Sequence, residues 1–301
     1  MMKEVTAGLQ TGRLLHWLHP CNYPEHRLRM CNHCCPEDVA GLADALQGIL
    51  LIDEAYVDLT DEVEAWGEAV ELRASVRSVA TARLARERGL ASIGLVRTEF
   101  LLPDAGAIPD RAFYAEAFGQ MLEAADPLPV TFRLLDLAPD KHPSWASALP
   151  ESGPLGLHGS RLYRDPAVWR VVESQLQALG SLTACKTVGL LVPNVDSVEQ
   201  FQYRRASIDS VLPDSGIRVG AMLETAGAAL AVDGLLATAD LVGFGLNDLM
   251  QSLFGADRDL PAVRAHLDPY APSLYRFLRQ TAELAGPAVR RVLPTPRRAT
   301  P

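Results

Sequence analysis

From about residue 68 onward the chain alternates short, almost wholly apolar runs with longer amphipathic ones. The apolar runs fall at 70–76 (VELRASV), 92–97 (SIGLVR), 130–137 (VTFRLLDL), 187–193 (TVGLLVP), 217–224 (IRVGAMLE) and 241–246 (LVGFGL). Near-continuous apolar runs of this length predict parallel strands buried on both faces. Helical spacing fills the intervals at 78–88, 110–125, 165–179, 196–206, 226–237 and 270–285. Strands and helices in strict alternation predict a parallel α/β architecture. A weaker strand near 155–162 (PLGLHGSR) and a last one near 288–293 (AVRRVL) bring the total to eight. The expectation is therefore a (β/α)8 TIM barrel over 67–301 that lacks its last helix, since only PTPRRATP follows Leu293. An open doubly wound sheet is the main alternative, but no G-x-G-x-x-G follows an early strand.

Residues 1–66 read as a separate N-terminal extension and linker. Within it, 37–48 (EDVAGLADALQG) has the pattern of a short amphipathic helix, 49–59 (ILLIDEAYVDL) of one or two strands, and 60–67 of a connecting helix. Cys21, Cys31, Cys34 and Cys35 crowd one window, with His16, His19, His26 and His33 in or beside it. Thiolates and imidazoles hold zinc tetrahedrally, and Cys31 and Cys34 form a C-x-x-C. The second half of a zinc motif is absent and Pro20, Pro24 and Pro36 break the window, so an irregular loop without ligand is the stronger reading and zinc or thiol redox chemistry the lesser ones.

Composition narrows the function classes. Of 301 residues, 48% are hydrophobic and 22% charged, the profile of a globular protein. The net charge of -9, from 28 basic and 37 acidic residues, argues against coating nucleic acid or an anionic membrane. No apolar run approaches the ~18–20 residues of a membrane span, and no leader pattern is visible, so a cytoplasmic protein is expected. Among the basic residues only Lys3, Lys141 and Lys186 are lysines, which makes Lys141 conspicuous in the motif below.

In a barrel the chemistry sits at the carboxyl ends of the strands. Those ends carry Arg97, Thr98 and Glu99; Arg133, Asp136, Asp140 and Lys141; His158 and Arg161; Asn194; Glu224; and Asn247 and Asp248, followed by Asp257 and Arg258. Glu224 and Asp248 on adjacent strands suit a hard divalent cation, because Mg2+ commonly takes one or two protein carboxylates. Several arginines at one mouth suit an anion bearing phosphate and carboxylate. Together they suit phosphoryl transfer or enolate stabilisation.

The strings GLVRTEFLLPD, TFRLLDLAPDK, PLGLHGSRLYRD, LLVPNVDSVEQF, GAMLETAGAAL and GFGLNDLMQSLFGADRD occur in this order between residues 94 and 259. This series resembles the C-terminal barrel of the phosphoenolpyruvate-utilising enzymes, among them enzyme I of the sugar phosphotransferase system, pyruvate phosphate dikinase and phosphoenolpyruvate synthase. The resemblance spans roughly residues 68 to 285. It implies a phosphoenolpyruvate/pyruvate-type barrel with Mg2+, or Mn2+ in its place, on Glu224 and Asp248. It implies substrate contacts at Arg97, Arg133, Arg161, Arg258, Asn247 and Lys141. It also implies transfer of the phosphoryl group from phosphoenolpyruvate to a histidine on a carrier, leaving a pyruvate enolate stabilised by Mg2+. The same ground makes a homodimer an option, with the oligomeric state left open.

Three departures qualify that expectation. The family's strand-8 Cys-Gly-Glu, whose cysteine protonates the enolate, corresponds here to AGPAVRRVLPTP. His158 stands where the strand-4 motif has its first arginine, and Leu246 where threonine is usual. Neither a phosphohistidine motif nor room for an ATP-grasp domain is present, so a separate carrier protein would supply the histidine. The leading expectation is a Mg2+-dependent enzyme acting on phosphoenolpyruvate or a pyruvate-like analogue, with Arg97, Arg133, Arg258, Asn247 and His158 catalytic. The alternatives are a degenerate barrel that binds ligand or partner without turnover, and a metal-dependent 2-oxo acid lyase or aldolase.

Overall fold

Alternate residues along the strands Val130–Arg133, Val188–Val192, Arg218–Leu223 and Val242–Gly245 enter one of two cores, whereas in Ser92–Arg97 an irregular register puts Ile93 and Val96 in one core and Leu95 in the other. The computed structural model describes residues 50–52, 73–103, 108–137, 143–146, 149, 153, 155–182, 187–269 and 271–286. Among them seven strands form one sheet: β1 (Leu50–Ile52), β2 (Arg73–Val76), β3 (Ser92–Arg97), β4 (Val130–Arg133), β5 (Val188–Val192), β6 (Arg218–Leu223) and β7 (Val242–Gly245). Their order is β1-β7-β6-β5-β4-β3-β2, and every pairing is parallel. The two ends of the row come near each other, because β1 also approaches β3.

The connections are α1 (Val79–Glu87), α2 (Arg111–Ala125), α3 (Pro166–Leu182), α4 (Val198–Val211), α5 (Ala226–Leu230), α6 (Val232–Leu236), α7 (Leu246–Phe254) and α8 (Pro272–Ala285). Side-chain caps start several of them: Asp110 accepts from the Phe113 amide at 2.9 Å, Ser197 from Gln200, and Thr225 from Ala228. Each such cap is worth about 1 kcal/mol.

Ile93, Val130, Phe132, Val188, Leu190, Val192, Val219, Ala221, Leu223, Val242 and Phe244 point towards the helices and join the large core. Phe132 stacks against Phe118 of α2, with ring centroids 4.7 Å apart. The other face carries a separate small cluster of Leu95, Leu191, Met222 and Leu241. By strand alternation, Arg133, Glu224, Gly189, Gly220 and Gly245 share that second face. Glycine there is a packing requirement: a Cβ on Gly220 would lie 2.3 Å from the Leu241 carbonyl oxygen, and one on Gly189 2.8 Å from Thr131 Oγ1.

Two expectations need correction. The strand expected at 155–162 is absent: a 3-10 helix, Gly159–Arg164, follows a turn instead. Its backbone is tied sideways, with the Ser160 amide donating to the Pro193 carbonyl and Gly159 at φ 55°, so no extended run can form. The single helix expected at 226–237 is broken at Ala231 into α5 and α6. In addition, β7 runs directly into α7, a helix the hydrophobic pattern did not separate from its strand. The helices expected at 37–48 and 60–67, the 66/67 boundary, the Cys21/Cys31/Cys34/Cys35 window with its zinc option, Lys141 and the strand at 288–293 lie outside the described residues. No helix among the described residues is long and apolar enough to cross a membrane.

Gly220→Ala forces the new methyl against backbone rather than a flexible side chain, so overpacking should destabilise the fold by about 1–3 kcal/mol. Urea unfolding should show a lower midpoint with an unchanged m-value.

Candidate active site

Arg133 ends β4 and is turned inward, its side chain only 7% exposed. Its guanidinium meets three carboxylates. Glu99, from the 3-10 turn Thr98–Leu101 after β3, accepts from Nη2. Asp136 lies 3.2 Å from Nη1, and Glu224, immediately after β6, lies 3.7 Å from the same nitrogen. Thr98 Oγ1 also donates to the Arg133 carbonyl at 2.9 Å, fastening the exits of β3 and β4 together.

Three acids around one cation leave the site with excess negative charge, and Asp248 adds to it. Burial pushes the Glu224 carboxyl up to about 8, and the neighbouring Asp248 pushes the same way. Glu99 is also raised by burial, against the pull of Arg133. Asp136 goes the other way: burial would raise it, but Arg133, His158 and the Gly159 amide hold it well below the usual carboxylate range.

Glu224 is held in place from two sides. The Asn194 amide donates to Oε2 at 2.6 Å. That amide is aimed by a left-handed backbone, Asn194 at φ 48°, a conformation that asparagine tolerates better than most residues. On the other side, a Cβ on Gly245 would lie 2.4 Å from Glu224 Oε1, so only glycine fits beneath the carboxylate. Asp248 sits in the first turn of α7, where acids are favoured by the helix dipole. Its Oδ1 accepts from Gln251 Nε2 at 3.0 Å and lies 3.4 Å from Arg258 Nη1. Gln251 Oε1 in turn accepts from the Arg258 amide at 2.9 Å.

Glu224 and Asp248 open on one cleft of about 250 Å³. His158, Arg161 and Asn194 also line it, with Leu155, Thr225 and Ser252 completing it. Arg161 is steadied by the carbonyls of Leu155 and Gly156 at 3.0 and 3.1 Å and by Asp196 at 3.4 Å. His158 Nδ1 stands 3.9 Å from Asp136 Oδ1.

The structure brings together most of the residues expected from sequence: Glu224, Asp248, Arg161 and His158 line the cleft, and Arg258 touches Asp248. Arg133 lies beneath, enclosed by acids. Arg97 pairs with Arg133 across the β3–β4 ladder and extends over the Phe100 ring, 5.9 Å from its centroid. Asn247 is half-buried in the first turn of α7. The sequence reading assigned no site role to Glu99, Asp136, Asn194 or Gln251. The first three were visible as polar residues at strand ends; Gln251 signals itself only through its i+3 spacing from Asp248.

Glu224 and Asp248 offer hard oxygen donors of the kind a divalent cation takes. Among the described residues no group of three or more Cys, His, Asp or Glu side chains is arranged to hold a metal. A two-carboxylate site would therefore leave most of an octahedron to water and substrate oxygens.

Comparison with known proteins gives a consistent picture. Residues 54–292 match the family model described as PEP-utilising enzyme, PEP-binding domain. The chain is 27% identical over 262 residues to multiphosphoryl transfer protein 1 of Escherichia coli K12, covering 80% of this chain and 31% of that protein. It is 31% identical over 225 residues to the multiphosphoryl transfer protein of Xanthomonas campestris pv. campestris, covering 72% and 26%. With the phosphoenolpyruvate-protein phosphotransferase of Buchnera aphidicola subsp. Schizaphis graminum it shares 25% over 240 residues, covering 76% and 41%. The chain thus spans less than half the length of these relatives. A match over most of the chain, together with an arginine and carboxylate cluster at the carboxyl ends of parallel strands, shows that this chain belongs to the PEP-binding domain family of the PEP-utilising enzymes.

Proposed function

We propose that this chain is the phosphoenolpyruvate-binding part of a PEP-dependent phosphotransferase, its sheet closing into a (β/α)8 barrel. The observation that carries this is the pair of carboxylates, Glu224 and Asp248, facing one cleft with Arg161 and His158 at the carboxyl ends of the strands. Phosphoenolpyruvate is strongly anionic, and Glu224 and Asp248 face the cleft it would enter. A divalent cation on these two carboxylates would offset their charge beside the substrate, and this supports Mg2+ dependence. When bound, Mg2+ would supply the positive charge that stabilises an enolate oxygen as the phosphoryl group departs.

The chain's own residues do the rest. Arg161, Arg258 and Arg97 hold the phosphate and carboxylate and Asn247 adds a contact, with Lys141 a further substrate contact on the family resemblance alone. Arg133 keeps Glu99, Asp136 and Glu224 aligned beneath the substrate. The names of the relatives favour a protein as phosphoryl acceptor; a carrier histidine as the receiving group rests on the family resemblance. No observation favours the lyase or the turnover-free reading over this one.

Calorimetry should show phosphoenolpyruvate and oxalate binding only with Mg2+, and Asp248→Ala should weaken it by at least about 100-fold, since even outer-shell metal partners cost ~10–100-fold. Binding that ignores both Mg2+ and this substitution sinks the proposal. The Glu224 carboxyl at about 8 gives a second readout. At pH 7 it is largely protonated in the free protein and must ionise to hold a cation, so Mg2+ binding should release about one proton. Repeating the titration in buffers of different ionisation enthalpy measures that proton; it should vanish as the pH rises well above 8. Glu224→Gln should abolish the release.

A further inference from the structure

We propose that His158, held by Asp136, is the group that gives a proton to, and takes one from, the methylene carbon of the enolate in this site. This rests on the phosphoenolpyruvate reading above. The imidazole is in the right place: His158 lines the cleft that Glu224 and Asp248 share. It is also fixed. Its carbonyl accepts from Asn194 Nδ2 and from the Arg161 amide, each at 3.3 Å. Nδ1 faces Asp136 Oδ1 at 3.9 Å, an ion-pair distance rather than a hydrogen bond. Asp136 is itself anchored, by Arg133 Nη1 at 3.2 Å and by the Gly159 amide at 2.8 Å. With Nδ1 turned to the carboxylate, Nε2 lies on the opposite edge of the ring and is the nitrogen left for a ligand in the cleft.

No other described residue offers the same chemistry there. The described residues include no cysteine, and the one other described histidine, His266, lies on the exposed 3-10 turn Arg264–His266. Tyr163 is buried, donates to the Leu135 carbonyl at 2.8 Å, and is held far above the range where it would release a proton. Glu99 is occupied by Arg133.

The charges around the ring suit the role. Burial works to lower the imidazole, but Asp136 and, more weakly, Asp248 and Glu224 outweigh it, so its ionisation is shifted upward. Arg161 lines the same cleft, and Arg133 reaches the ring only through Asp136. A cation on Glu224 and Asp248 would cancel their share and leave Asp136 as the lasting partner.

The step balances. The P–O bond of phosphoenolpyruvate breaks, the phosphoryl group goes to a nucleophilic side chain of the acceptor protein, and the electron pair stays on the enolate oxygen. The C=C pair then takes the proton from His158 Nε2, a C–H bond forms, the carbonyl returns, and neutral imidazole recovers a proton from solvent. In reverse, neutral Nε2 removes a methyl proton from pyruvate.

The reverse step needs no acceptor and supplies the test. The full chain is incubated with pyruvate and Mg2+ in D2O, and deuterium entering the methyl group is followed by NMR. Exchange should exceed that of Mg2+ alone and rise with pH through the raised His158 ionisation. His158→Gln should slow it by about 10²–10⁴-fold, the usual contribution of a general acid or base, and, at Mg2+ concentrations that saturate the site across the pH range, remove that pH dependence. Mg2+-dependent oxalate binding is measured on both proteins. If the unaltered chain binds no oxalate, the phosphoenolpyruvate reading itself fails. If it binds oxalate but exchanges nothing, or if His158→Gln exchanges as fast, His158 is not the proton carrier. If His158→Gln loses oxalate binding together with exchange, the residue holds the ligand and the proposal is overturned.

Discussion

A buried arginine among acids organises this end of the molecule. Arg133 sits on the concave side of the sheet, and its partners come from three different strand exits: Glu99 after β3, Asp136 after β4 and Glu224 after β6. Leaving any one of those carboxylates buried without its cation would cost several kcal/mol, whereas the group as a whole adds little net stability. The cluster therefore acts as a positional lock. It fixes where the loops after the strands begin, and so fixes the walls of the cleft above.

The lock is incomplete in charge, and that incompleteness has a chemical use. One guanidinium faces three acids, and Asp248 lies close enough to Glu224 to raise its ionisation further. Such a site is poised to accept positive charge. A proton on Glu224 or, on the proposed function, a divalent cation would meet that demand. The same excess of acid keeps His158 protonated over a wider pH range. The metal binding and the acid–base chemistry proposed above would thus trace to a single imbalance, set by how many carboxylates the three strand exits deliver.

Close packing makes the geometry possible. Gly245 lies under the Glu224 carboxylate with no room for a methyl, and a Cβ on Gly159 would run into the Asn194 side chain at 2.5 Å. Asn194 can aim its amide at Glu224 only because the chain bends there through a left-handed residue. The Gly159–Arg164 segment reaches the cleft wall only because it coils instead of joining the sheet. A strand at that position would have carried His158 and Arg161 along a ladder rather than into the opening, and that is the point at which pattern reading failed. Its residues alternate weakly, and side-to-side hydrogen bonds to the β5 exit overrode them.

The sequence by itself determined the alternation of parallel strands with helices, because burial on both faces imposes continuous apolar runs that are local and legible. It also determined the family and the carboxylate pair, because the motifs after β3, β4, β6 and β7 are each contiguous. Tertiary structure alone decided that Arg133 is enclosed beneath the cleft instead of lining it, that Gln251 links Asp248 to Arg258, and that Asp136 stands behind His158. Those relations join residues from separate strand exits, from distant parts of the β4–β5 connection, or from opposite ends of one helix and its following loop. No period along the chain encodes them, since they arise only when the sheet curves and its carboxyl ends meet.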